Sequence, residues 1–411
     1  MSALAGNGSG DVMARALHFV ATSTRGIEEV LAEELRGLGM RQVKPQRGAV
    51  EFQGRLRDGY RAVLWSRLAS RIFLRLGRAE VHDADGLYAG AREVAWEDHI
   101  DRDRTIAVSF VGKSPEIRDT RFGALKVKDA IVDRLRDQRG VRPDVDAANP
   151  DVPIHVYLDH SVATFSLDLC GAPLHLRGGG GRMSGAAPLR ETLAAALLLF
   201  CRWPERSAAG ESFYDPFCGS GTLLLEAAGI AQQRAPALGR ESFGFVGWSG
   251  HQPDVWRELQ EEARAKLLPI EEIPNLLAGG DVDRRSIRDA RANFSRLGVA
   301  SLVEVVKGDM RSLAPPPDAP PGLLVANPPY GERLGDPEAL VGLYQEFGDR
   351  LRRKFLGWHA GVIVANKFHA GALGLKPSAR RPVFNGPIEC RFLEFPISAK
   401  PPEKSGPGWR S

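Results

Sequence analysis

Apolar positions along the first 175 residues alternate between a period of two and a period near four, and each change predicts an element. Residues 16–22 read as a strand. Residues 24–35 read as an amphipathic helix, closed by Gly37 and Gly39. Residues 47–52 predict a second strand. Residues 60–76 predict a second helix, with Arg61, Arg67, Arg71 and Arg75 spread over its polar side. A strand over 105–110 and a helix over 121–139 follow, then two alternating runs at 154–158 and 163–169 that suit a hairpin. The pattern describes an α+β module to about residue 175.

Four consecutive glycines, Gly178 to Gly181, mark the clearest joint in the chain and predict a flexible loop between modules. Residues 188–200 then predict a strongly apolar helix. From Phe213 onward strands and helices alternate, which points to a parallel α/β sheet. The prolines at 315–317 and 320–321 predict an extended surface loop, and the Pro/Gly-rich stretch after Ala399 a loose tail.

Composition narrows the class. A chain of 411 residues has room for two or three domains with sizeable cores, and 43% apolar with 26% charged residues is ordinary for a globular protein. No apolar run reaches the length of a membrane span. Cys170, Cys201, Cys218 and Cys390 are scattered without a Cys-x-x-Cys pair, so neither a metal nor a disulfide frame is expected and a reducing cytoplasm fits. Net charge is only +4, but its distribution is uneven. Residues 36–78 hold eleven Arg/Lys against two acids, an excess of nine, and residues 102–142 hold eleven against six, an excess of five. Such stretches suit contacts to a phosphate backbone, as well as an ordinary solvated Arg-rich surface.

The candidate chemistry lies at strand ends. Asn327-Pro328-Pro329-Tyr330 follows the apolar run 323–326, and two prolines end that strand because neither donates to a ladder. The set offers an amide, free carbonyls and an aromatic ring at one point, which suits holding a flat base by its exocyclic amine. It also reads as a plain strand-terminating turn. Upstream, the segment from Asp215 through Phe217, Gly219 and Gly221 to Thr222 runs from a strand into a helix over 223–231. Its glycines let backbone approach a ligand. It has neither a third glycine nor a Lys-Ser/Thr ending, so a ligand without phosphates is favoured. Asp281, ending a second strand, is placed to take two ribose hydroxyls, with Val282 packing on an adenine. Asp283 suits the cap of the helix 286–297. Asp309 ends a third strand, where its carboxylate can accept from an adenine amine, and Met310 can offer its backbone.

In order and spacing, the segment Asp215 to Thr222, then Asp281, Asp309 and Asn327-Pro328-Pro329-Tyr330, resemble the class I S-adenosylmethionine-dependent methyltransferases that modify exocyclic amines. A closer resemblance, over residues 174–397, is to the bacterial 23S rRNA guanine-N2 methyltransferase family. It rests on the run from Ala187 to Ala196, on Phe243-Gly244-Phe245 with Trp248 and Trp256, on Gly331-Glu332-Arg333-Leu334 after the tetrapeptide, and on Arg381 to Gly386 with Glu389-Cys390-Arg391. Two family features are missing: the aromatic-Arg pair expected after Gly178, where the glycine run stands, and the acid that often precedes Ala187.

The resemblance implies an α/β chain: a Rossmann-like class I methyltransferase sheet over residues 173–399, preceded by an RNA-binding α+β module. That module would be a ferredoxin-like piece over residues 1–60 and a THUMP domain over 61–172, with a loose tail at 400–411. The length leaves no room for the second methyltransferase domain that follows in some members. The implied cofactor is S-adenosyl-L-methionine, contacted by Asp215, Phe217, Gly219, Gly221, Thr222, Asp281, Val282, Asp309, Met310 and Asn327. The implied partner is RNA, 23S rRNA or alternatively tRNA, with no membrane and no metal. In the implied reaction, the Asn327 side-chain oxygen and the Pro328 carbonyl accept the two amine hydrogens. Tyr330 stacks on a base that has left its helix. Cys218 reads as a packed loop residue. Glu332, Arg333 and Lys367 are candidate RNA contacts. The reading from another functional class is a catalytically silent RNA-binding or ribosome-assembly protein that kept the fold.

Overall fold

The computed structural model describes residues 16–177, 189–312, 314–315, 319–329 and 337–398. The glycine run, Tyr330, the segment 331–336 and the tail lie outside the described residues. The chain divides into two compact units: Met1–Ser23, Leu31–Gly179 and Pro236–Ala265 in one, and Thr24–Val30, Gly180–Ala235 and Lys266–Ser411 in the other.

The first unit is built on one sheet. Its elements are β1 (Leu17–Thr22), α1 (Glu28–Gly37), β2 (Arg41–Gln46), β3 (Ala49–Gly54), α2 (Leu56–Trp65), β4 (Arg71–Glu80), α3 (Ala84–Glu93), β5 (Ile106–Lys113), α4 (Thr120–Arg139), β6 (Val152–Asp159) and β7 (Val162–Asp168). The seven strands run in the order β2-β3-β1-β4-β7-β6-β5. Every pairing is antiparallel except β5 with β6. The expected hairpin is β6–β7, with Asp159 opposite Val162.

The expected helix over 60–76 is not what forms. The helix α2 stops at Trp65, Ser66 turns to extended backbone (ψ 124°), and Arg71 opens the longest strand of the sheet. Local spacing allowed a helix through Leu76. However, Phe73 and Leu74 find ladder partners on both sides, in β1 and β7, and β7 lies far away in sequence. Arg71 and Arg75 therefore stand on a sheet face rather than a helix.

The second unit is a three-layer α/β domain. It contains α5 (Glu191–Phe200), α6 (Trp203–Ala208), β8 (Phe213–Asp215) and α7 (Thr222–Ala231). The next helix, α8 (Pro253–Ala265), belongs to the first unit. The second unit resumes with β9 (Leu277–Asp281), α9 (Arg284–Arg296), β10 (Val303–Lys307), β11 (Leu323–Ala326), α10 (Pro337–Lys354), β12 (His359–Val364), α11 (Lys367–Ala372), β13 (Ala379–Asn385) and β14 (Ile388–Pro396). Strand order is β10-β9-β8-β11-β12-β14-β13, with the first five parallel and a β13–β14 hairpin at one edge.

The β11 side chains alternate between the two layers, as buried parallel strands do. Leu323 and Val325 join Leu197, Trp203, Leu224 and Phe294 on one face. Leu324 and Ala326 join Tyr344, Phe347 and Leu351 of α10 on the other. From β8 the chain steps outward to β9 and β10, then returns to lay β11 on the other side of β8. That reversal opens a crevice at the carboxyl ends of β8 and β11, where ligands bind in open α/β sheets. Among the described residues no helix is long and apolar enough to cross a membrane.

Candidate active site

Gly219 and Gly221 make the turn from β8 into α7, both with positive φ (53° and 87°). They do so for different reasons. A Cβ on Gly221 would sit 2.6 Å from the Phe294 ring, so this glycine lets α7 and α9 pack closely. A Cβ on Gly219 would meet nothing within 4 Å, so its backbone faces open space. The Gly219 N–H donates to Asp281 Oδ2 at 3.0 Å, and the Asp283 N–H donates to Asp281 Oδ1 at 2.8 Å. Asp281 is thereby held at the end of β9 with both oxygens oriented and lone pairs to spare. Asp283 caps α9 by accepting from the Arg285 N–H at 2.9 Å, so the two neighbouring acids have separate tasks. Between them Val282 is 65% exposed, a large apolar side chain beside a polar carboxylate.

Asp215 is 1% exposed. Its carboxyl accepts one bond, from the Phe217 N–H at 3.1 Å. Burial, reinforced by the nearby Asp281 charge, pushes its pKa up to about 8, and among the described residues no cationic side chain offsets this. The Phe217 ring packs edge-on against Phe347 at 5.2 Å. Thr222 is buried at the first position of α7. Cys218 is buried too, and burial beside Asp215 and Asp281 holds its thiol well above the usual range. It is packed rather than reactive.

At the end of β10, Asp309 is engaged by its own turn. It accepts from the Arg311 N–H and Nε at 2.9 Å each and from Nη2 at 2.6 Å, which holds its pKa down at about 2. The Met310 side chain is buried among Tyr214, Ala278 and Leu324, so only its backbone is on offer. The Gly308 N–H donates to the Asp281 carbonyl at 3.0 Å and ties this turn to the second strand end.

The β11 pairing with β8, Leu324 opposite Tyr214, brings Asn327 and Asp215 to the same end of adjacent strands. Asn327 Oδ1 is buried and has no hydrogen-bond partner among the described residues. A buried amide oxygen without a donor costs about 1–3 kcal/mol, which a bound N–H group would recover. Pro328 is buried, and the Pro329 carbonyl accepts from the Tyr344 hydroxyl at 3.3 Å. The Tyr344 ring stacks on His369 (4.6 Å, 10°). Sequence reasoning missed this brace, because its partners come from α10 and α11 and are marked by no motif.

No metal was expected from sequence. Among the described residues one possible ligand group occurs: Cys201, His359 and Glu394, with ligand atoms within 4.8 Å of one another. Glu394 there faces both His359 (3.2 Å) and Arg381 (3.4 Å), which balances its charge.

The first unit carries a different feature. One face of its sheet lines a groove of about 1310 Å³ that includes Arg47, Arg71, Arg75, Arg78 and Lys128. Arg71 pairs with Asp168. Burial, with the neighbouring Arg78 adding to it, lowers the Arg75 pKa against the opposing pull of Glu51. His155 stacks on Phe73 (4.1 Å), and burial together with Arg71 pulls its pKa to about 4. The groove is cationic and bears the exposed Tyr157.

Three family descriptions match the chain: an RlmL ferredoxin-like domain over residues 18–73, a THUMP domain over 81–168, and an RMKL-like methyltransferase domain over 181–394. The "Ribosomal RNA large subunit methyltransferase K/L" of Pseudomonas paraeruginosa is 44% identical over 390 residues, covering 94% of this chain and 54% of that protein. The chain thus spans about half the length of the curated relatives it matches. Among solved structures, SMU.472 complexed with SAH superposes with a TM-score of 0.83 at 27% identity, covering 93% of this chain and 98% of the other. A possible methylase from Clostridium difficile 630 gives 0.83 at 28% identity, covering 95% and 100%.

Proposed function

The chain belongs to the RMKL-like methyltransferase-domain family, and on that premise we propose that it transfers a methyl group from S-adenosylmethionine to the exocyclic N2 amine of a guanine in 23S rRNA. The observation that carries this reading is the buried, partnerless Asn327 Oδ1 at the β11 end. An arylamine lone pair is delocalised and a weak nucleophile. Asn327 Oδ1 and the Pro328 carbonyl accept its two hydrogens, which draws the nitrogen toward tetrahedral geometry and aims its lone pair. Tyr330 stacks on the flipped base. Positioning supplies most of the rate, and the brace from Tyr344 to Pro329 keeps the acceptor pair stiff.

The neighbouring strand ends suit a cationic nucleoside cofactor. Asp215 is a buried acid without a counter-charge, so it favours a ligand bearing an ammonium or sulfonium. Asp281 offers oriented lone pairs to two ribose hydroxyls, and Val282 an apolar surface to adenine. Gly219 leaves backbone room for the ligand. Thr222 and the backbones of Phe217, Gly221 and Met310 shape the cradle. Asp309 keeps acceptor capacity toward the adenine amine beyond its bonds to Arg311. When bound, S-adenosylmethionine would supply the electrophilic methyl group and leave as S-adenosylhomocysteine, the methylated nitrogen losing one proton to solvent. The cationic groove of the first unit suits the RNA backbone, a contact that weakens with salt. A cytoplasmic location fits four buried cysteines that stand outside any disulfide.

Asn327→Ala tests the reading. Methyl transfer to 23S rRNA is expected to fall at least about a hundredfold, while S-adenosylmethionine binding, measured by calorimetry, is weakened far less. Near-normal turnover would sink the assignment. Nucleoside mass spectrometry of a strain lacking the gene should show N2-methylguanosine lost from 23S rRNA. Loss from tRNA instead would overturn the substrate.

A further inference from the structure

An exposed aromatic side chain stands on α11, the short helix that follows β12. The β12 strand runs parallel to β11, with Ala326 opposite Val362, so both chains leave the sheet at the same end. Just past β12, Asn366 caps α11 by accepting from the His369 N–H at 2.9 Å. His369 is buried and stacks on Tyr344, whose hydroxyl holds the Pro329 carbonyl. The α11 helix is therefore braced to the Asn-Pro-Pro turn through two rings and one hydrogen bond. Leu373 beyond the helix is fully buried, so this short element is anchored on its inner side without help from Phe368.

Phe368 turns the other way. It is 70% exposed, more than any other large apolar side chain among the described residues. The Lys367 ammonium lies over its ring, 5.7 Å from the centroid. A phenyl ring left in water forgoes the gain of burial, and one with a cation beside it matches a nucleotide: a flat base for the ring and a phosphate for the ammonium.

We propose that Phe368 and Lys367 form a stacking platform for a nucleotide of the substrate RNA that flanks the methylated guanine. This rests on the methyltransferase reading above and adds a subsite to it. Phe368 stacks on the neighbouring base and so holds the strand open around the flipped one. Lys367 meets the phosphate of the same nucleotide. The bracing through His369 and Tyr344 sets the distance between this platform and the amine acceptors. A base stacked there is registered against the reacting one.

The test compares Phe368→Ala, Phe368→Leu and Phe368→Trp with wild type, using 23S rRNA fragments and measuring KM for RNA, kcat and cofactor affinity. Phe368→Ala and Phe368→Leu are expected to raise KM by about fivefold to a hundredfold, the usual worth of one stacked base, and Phe368→Trp to restore it. Cofactor affinity and Tm should be unchanged in all three, since the side chain is exposed. A 2-aminopurine placed next to the target should be quenched on binding to wild type and to Phe368→Trp, and not to Phe368→Ala. Wild-type KM in both Phe368→Ala and Phe368→Leu would overturn the platform while leaving the methyltransferase reading intact. Loss of cofactor affinity or Tm would make Phe368 structural and overturn it too. A wild-type protein that binds the cofactor yet methylates no 23S rRNA would refute the function, and the platform with it. If RNA kinetics are unaffected but a protein ligand loses affinity on Phe368→Ala, the exposed ring serves a protein interface and the RNA platform is wrong.

Discussion

With the cofactor's positive charge placed beside Asp215, as proposed, binding becomes a proton-linked event. Its carboxyl is almost fully buried, receives one backbone N–H, and has a pKa near 8. A cofactor that brings positive charge beside it requires the carboxylate form. At pH 7 an acid of pKa about 8 is ionised in about one molecule in eleven, a penalty of about 1.4 kcal/mol on binding. At pH 6 the fraction is about one in a hundred. S-adenosylmethionine affinity should therefore strengthen about ninefold from pH 6 to pH 7. Binding at pH 7 should release about 0.9 proton, measurable by calorimetry in phosphate and Tris buffers, which differ in ionisation enthalpy. Asp215→Asn should abolish the slope and weaken binding at least about tenfold, since it removes one partner of a buried charge pair.

The same group sets an opposite trend in the unliganded protein. Its folded pKa lies above the unfolded value of 3.8, so its favourable contribution is complete below pH 3.8 and is lost as pH rises through about 8. Asp215→Asn should then raise the Tm of the apoprotein at pH 8 while weakening the cofactor. A dissociation constant constant within twofold between pH 6 and 7, or an Asp215→Asn slope equal to wild type, would refute this account.

Three further predictions separate the strand-end cradle from the groove. Gly221→Ala should lower stability by about 1–3 kcal/mol, because its φ is 87° and its Cβ meets the Phe294 ring at 2.6 Å; a chemical-denaturation midpoint equal to wild type would contradict this. Gly219→Ala should cost less stability but more cofactor affinity, since its Cβ points into open space where the ligand is placed; an unchanged dissociation constant would count against the placement. Arg75→Ala with Arg78→Ala should weaken RNA binding and reduce the salt slope by about one to two, with cofactor affinity untouched; an unchanged slope would remove the groove from the RNA path.

Much of the second unit was legible because its signals are local. The strand ends at Asp215, Asp281, Asp309 and Asn327 each follow a short apolar run, and the capping role of Asp283 follows from its position before a helix. Elements with weaker local signals escaped. β2 is a polar edge strand carrying Lys44 and Pro45, features that protect an edge and erase the apolar alternation a strand is recognised by. α3 carries Gly86 and Gly90, poor helix formers, and a Cβ on Gly90 would lie 2.4 Å from that of Ala79 on β4. Residues 71–76 carry helical spacing, but pairing with β1 and β7 made them strand.

The sequence by itself determined the chemistry on offer: which acids end which strands, where prolines stop β11, and where positive charge gathers. Those depend on residue type and short-range spacing, which a linear reading sees. Tertiary structure alone decided how each group is used. Among the described residues it left Asp215 without a counter-charge and Asn327 Oδ1 buried without a donor. It bonded Asp309 to Arg311, and it placed Phe245 and Trp256 against Tyr60 of the first unit, although they follow α7 in the chain. Burial and pairing between residues far apart in sequence set these outcomes, because desolvation and hydrogen-bond satisfaction are properties of what surrounds a group in space.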